Sequence, residues 1–146
     1  MCRRGFEYAE HTADILIIAY GENLEEAFKN AALGFANIIY NIDKVELKER
    51  INIEISGNDL EELLFTWIDE LLYLFDGKKF AFGNYFEQLT ISKTDDKYFL
   101  KALIGGEKYD IEKHGFKGIV VKAMTYHMMS IEKINNLWRL QYVVDI

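Results

Sequence analysis

Between Asp59 and Phe75, Leu60, Leu63, Leu64, Trp67, Ile68, Leu71, Leu72 and Phe75 recur at helical spacing. The stripe they form is wide for a helix with one face in water. This helix is therefore expected at the centre of the core, with the rest of the chain arranged to cover it. Asn58, with Glu61 three residues on, reads as its cap. Asp76-Gly77 reads as its end, with Gly77 suited to the left-handed stop position.

A second helix opens at Asn23, with Glu26 completing a capping box. Leu24, Ala27, Phe28, Ala31, Phe35, Ile38 and Ile39 carry the periodicity to about Tyr40-Asn41. Gly34, costly in a helix interior, is expected to permit close approach to a sheet. Strands are expected at Phe6 to Ala9, at the apolar run Ile15 to Tyr20, and at Ile51 to Ile55, where isoleucine alternates with polar residues. The second half reads as β. It has strands at Phe80 to Phe82, Phe86 to Lys93 and Tyr98 to Ile104, a break at Gly105-Gly106, a loop to Gly118, and strands from Ile119 and from Trp138 to Ile146. The order ββα, βα and then β implies an α+β fold. It is expected as a single domain over residues 1–146, with a mixed, mostly antiparallel sheet and two helices packed on one face.

Composition removes several function classes. Half of the 146 residues are hydrophobic and 14% are aromatic, which excludes a disordered chain. Seventeen basic against 24 acidic residues give a net charge of −7, which argues against binding nucleic acid directly through its phosphates. A lone cysteine, Cys2, allows neither an internal disulfide nor a cysteine zinc site. No apolar run is long enough to span a bilayer and no signal peptide is evident, so an intracellular, soluble protein is expected. A glycine-rich phosphate loop, a GxSxG nucleophile motif and HExxH are all absent.

Two strands begin or end on an acid. Asp14 precedes the run Ile15 to Tyr20, and Asp145 follows Leu140 to Val144. If these ends meet, Asp14, Asp145 and, where Ile146 is the true C-terminus, its terminal oxygens offer a hard cation the oxygen ligands it prefers. The alternative is a pair of solvated strand ends. His11 and His127 read either as ligands or acid–base groups, or as residues that satisfy a backbone partner. Lys122 is expected to interrupt a strand on the side of Val120, Met124 and Tyr126. It is either an edge-strand lysine that blocks aggregation or a cation beside the acids.

The segment Phe6-Glu7-Tyr8-Ala9-Glu10-His11-Thr12-Ala13-Asp14 closely resembles the opening motif of the archease family. Asn23-Leu24-Glu25-Glu26-Ala27-Phe28, Asp59 through Asp76, Gly106-Glu107-Lys108-Tyr109-Asp110 with His114, Lys122 through His127, and Asp145-Ile146 follow in the family's order. Lys108 departs from the proline of many members. The resemblance implies a cytoplasmic protein cofactor, not an enzyme, that activates the tRNA-splicing ligase RtcB. That ligase joins RNA 3′-phosphate or 2′,3′-cyclic phosphate ends to 5′-hydroxyl ends, using manganese and GTP through a guanylated histidine. The cofactor promotes guanylation and multiple turnover, and meets RNA and GTP only through the ligase. The family's metal site falls on Asp14, Asp145 and Ile146, with calcium implied and magnesium or manganese also compatible with such ligands. Its essential lysine falls on Lys122, with His11 and His127 as further candidates for acting on the partner. Two rival classes are a chaperone-like adaptor for RNA-processing proteins and a metal-dependent phosphohydrolase.

Overall fold

The computed structural model describes residues 5–10 and 14–146. Along the chain lie β1 (Phe6–Glu10), β2 (Asp14–Gly21), α1 (Leu24–Asn37), a 3₁₀ turn (Ile42–Lys44), β3 (Glu49–Gly57) and α2 (Leu60–Lys78). Then follow β4 (Phe80–Thr94), β5 (Lys97–Lys108), the single-turn helix α3 (Ile111–His114), β6 (Ala123–Ile134) and β7 (Leu137–Asp145). The fold is α+β, as the element order implies. The strands form two sheets, however, not one: β1-β2-β7-β6 and β3-β5-β4, with every pairing antiparallel.

The width of the α2 stripe explains the division. α2 packs on β3, β4 and β5 of one sheet and on β6 of the other, while α1 touches β1, β2 and β7 on one side and β4 on the other. Leu63, Leu64, Trp67, Ile68 and Leu71 are fully buried as a result. Trp67 donates its indole N–H to the Phe28 carbonyl of α1 at 2.9 Å, which satisfies the one polar atom of that ring. Gly34 does lie against the sheet: a Cβ there would come within 3.1 Å of Ile17 and 3.2 Å of Phe6.

The boundaries depart from expectation for identifiable reasons. The α2 cap is Asp59, not Asn58: its carboxylate accepts from the Glu62 amide at 2.7 Å, and Glu62 reaches back to the Asn58 amide. The helix runs past Gly77 and stops where Lys79 takes the left-handed conformation, φ 55°. α1 ends at Asn37, and Tyr40 beyond it is buried and donates to the Phe82 carbonyl at 2.7 Å. Phe80 to Thr94 is one strand with register shifts near Phe86. Gly105-Gly106 does not break β5. A Cβ on Gly106 would sit 2.1 Å from the Ala81 carbonyl oxygen, so glycine serves close strand contact here. Ile119 to Lys122 precede β6 instead of opening it; Ile119 and Val121 of this run pack into the main core, and Val120 between them is exposed.

Candidate functional site

The last residue of β7 lies opposite the first residue of β2. Asp14 pairs with Asp145, and Ala123 at the start of β6 pairs with Asp145 from the other side. The chain's two distant ends thus meet at one end of the four-stranded sheet. Directly opposed residues of an antiparallel pair point to the same face, with Cβ atoms about 5 Å apart. Ile15, Ile17 and Ala19 join the main core, so Asp14 stands on the other face with Leu16 and Ile18. Leu16, Ile18 and Val143 pack there as a small second cluster, next to the acids.

This apolar flank removes water from one side of Asp14. Its Oδ1 is buried and, among the described residues, has no hydrogen-bond partner. An unsatisfied buried carboxylate oxygen is costly, and a second carboxylate across the ladder adds repulsion. A hard cation held through oxygen answers both conditions, so the residues present fit such an ion. Among the described residues, no group of three histidine, cysteine or acidic side chains gathers around an ion site. Asp14 and Asp145 would therefore need main-chain oxygens, such as that of Ile146, and water to complete a ligand set.

Lys122 is brought to this end. Its amide donates to the Asp145 carbonyl at 2.8 Å, and its side chain is exposed. It lies one residue before β6, so the expected alternation with Val120, Met124 and Tyr126 does not apply to it. His127 is not beside the acids. It sits in the irregular stretch of β6 between Thr125 and Ser130, exposed, with its amide bonded to Thr125 Oγ1 at 2.7 Å. His11 lies outside the described residues.

A second polar cluster carried no role in the sequence reading. Glu107 is 6% and His114 1% exposed, and His114 Nε2 lies 3.0 Å from the Glu107 carboxylate. The Asp110 amide donates to Nδ1 at 3.0 Å, which places the ring proton on Nε2, where it is donated to Glu107. Lys113 and the Glu46 amide also donate to Glu107, at 3.0 and 2.8 Å. Burial pushes the Glu107 carboxyl up, but Lys113, His114 and the Glu46 amide outweigh it and hold the group down at about 2. Lys113 also pairs with Glu46. The cluster ties the 107–114 segment to the loop before β3. The sequence marked Glu107 and His114 only as part of a segment shared with the family, with no role attached.

Comparison with known proteins agrees with this architecture. Residues 6–146 match the family described as Archease protein family (MTH1598/TM1083). The chain is 57% identical over 141 residues to "Protein archease" of Pyrobaculum islandicum, covering 97% of this chain and 95% of that one. The solution structure of Methanobacterium thermoautotrophicum protein 1598 superposes with a TM-score of 0.85 at 35% identity, covering 98% and 99% of the two chains. The crystal structure of a Thermotoga maritima archease, described as a possible chaperone, superposes with a TM-score of 0.59 at 20% identity over 94% of each chain, a likeness of fold alone.

Proposed function

This chain belongs to the archease family, and from that premise we propose that it activates a tRNA-splicing RNA ligase of the RtcB type. In this reading it promotes guanylation of the ligase and lets one ligase molecule join many RNA ends. The observation that carries the reading is the Asp14–Asp145 pairing, with Asp14 Oδ1 buried and unpartnered among the described residues and Lys122 tethered to Asp145. Asp14 and Asp145, with the main-chain oxygen of Ile146, would hold calcium, or magnesium or manganese. Bound there, the ion supplies fixed positive charge at the end of the sheet.

The chain's own residues then do three things. The acids organise the end of β2 and β7 against the partner. Leu16, Ile18 and Val143 keep water from one flank of that end. Lys122, exposed and fixed by its backbone, presents an ammonium to a phosphate or carboxylate of the partner. Phosphoryl transfer depends on positioning and charge neutralisation, so a protein without its own nucleophile can accelerate it in another. The net charge of −7 suits docking on a ligase whose RNA channel is basic. The protein would act in the cytoplasm; no helix among the described residues is long and apolar enough to cross a membrane.

A chaperone-like adaptor is the second reading, favoured by the exposed Ile111, Phe116 and Val120 and by the description of the Thermotoga maritima archease as a possible chaperone. Multiple-turnover RNA ligation at limiting ligase decides between them. The activator reading expects several-fold more product when this protein is added. Unchanged turnover, together with suppressed aggregation of unrelated proteins, would establish the adaptor instead.

A further inference from the structure

The end of α2 and the segment from Tyr109 to Val121 enclose an apolar cavity of about 290 Å³. Leu72, Phe75, Tyr109, Ile119 and Val121 form its walls. At its mouth Ile111, Phe116 and Val120 are 59%, 46% and 61% exposed. Large apolar side chains gathered around one apolar hollow mark a surface that is covered in the working assembly. The volume falls at the lower edge of small-molecule sites, about 300–1,000 Å³, and suits a single anchoring side chain.

Two observations identify the occupant. The first is continuity with the acid pair: Val121 lines the cavity, and the next residue, Lys122, is bonded through its amide to Asp145. The cavity lining and the acid end are thus consecutive along the chain, and one partner surface can reach both. The second is charge. Asp76, in the last turn of α2, and Lys79, just past its end, are both exposed and stand at the rim. A second copy of this chain would bring another −7 to the contact, so self-association is opposed by repulsion. Nucleic acid is disfavoured by an apolar lining on an acidic molecule.

We infer that this cavity receives an aromatic or branched aliphatic side chain of the protein on which the acid end acts. A basic residue of that protein meets Asp76 and an acidic one meets Lys79. The inference rests on the activator reading above: the cavity provides affinity, and the acid end provides the effect on chemistry. Anchors of this kind dominate interface energetics, whereas charged groups at a rim mainly steer and orient.

The test is multiple-turnover ligation at limiting ligase, read as the plateau of stimulation and the concentration giving half of it. Val120→Asp and Ile111→Asp place a charge at the mouth from exposed positions, so the fold is expected to survive; circular dichroism checks this. Each should raise the half-saturating concentration at least tenfold and leave the plateau unchanged. Asp14→Ala should lower the plateau instead. Direct titration of the protein against the ligase without RNA should show the same tenfold loss for the two cavity variants. If wild type stimulates and both variants match it in half-saturation and binding, this inference fails and the activator reading stands. If wild type neither binds nor stimulates the ligase, the activator reading fails and takes this inference with it. A wild-type dimer lost in Val120→Asp, with ligase half-saturation unchanged, would identify a self-interface and overturn the inference.

Discussion

Glu107 is a buried acid held at a pKa of about 2, below its ordinary 4.5. Because its folded value is depressed, its stabilising contribution is complete above about 4.5 and fades as pH falls toward 2. Glu107→Gln keeps the shape but loses the charge that Lys113 and His114 face. It should lower stability by about 1–3 kcal/mol at neutral pH. Its unfolding free energy should also vary less with pH between 4.5 and 2 than that of wild type; urea melts across that range measure both. Gly106 gives a second prediction at this scale. With a Cβ 2.1 Å from the Ala81 carbonyl, Gly106→Ala must push β4 and β5 apart, at roughly 1–3 kcal/mol, again read by urea unfolding. Asp14 and Asp145 could be picked out of the sequence because acids bounding apolar runs need a reason. Glu107 and His114 fall in a segment that the resemblance marks, but their contact could not be read there, since their partners arrive through a single-turn helix and a loop some sixty residues earlier, at Glu46. Nothing periodic marks such a contact.

The elements show where pattern is informative and where it is not. The α1 and α2 stripes follow from 3.6-residue spacing, and their burial agrees: Phe28, Ala31, Leu63, Trp67 and Leu71 are fully enclosed. Periodicity does not resolve ends. Asn58 and Asp59 are both good caps on paper, and only the geometry separates them: the Asp59 carboxylate accepts the Glu62 amide. Asp59→Ala should therefore cost about 1 kcal/mol, whereas Asn58→Ala, at an exposed position, should stay within about 0.5 kcal/mol. Thermal melts of the two variants side by side check the assignment. Ile119 to Val121 misled for a physical reason. An apolar run that packs on the core from outside a sheet has the same composition as a strand, and only Ala123 onward finds a ladder partner.

At the scale of the molecule, antiparallel pairing of β2 with β7 is decisive, because it joins Asp14 to Asp145 across nearly the whole length of the chain. The α+β class and the two helices were readable from element order. The division into two sheets was not, since strand pairing depends on contacts far apart in sequence. The stripe on α2, too broad for one cover, was the available hint. A cation bound by the two acids would stabilise the folded state alone, so calcium should raise the melting temperature of wild type in proportion to ln(1 + [Ca²⁺]/Kd). Asp145→Ala should abolish that rise, and calorimetry with and without a chelator reads it. If these two aspartates form a device acting on another protein's chemistry, removing either one must remove the effect. The most direct test compares wild type with Asp14→Ala and Asp145→Ala in multiple-turnover RNA ligation at limiting ligase, with circular dichroism to show intact folds. Wild type is expected to stimulate turnover and both variants, at saturating concentration, are not; full stimulation by either variant would contradict the role assigned to the pair.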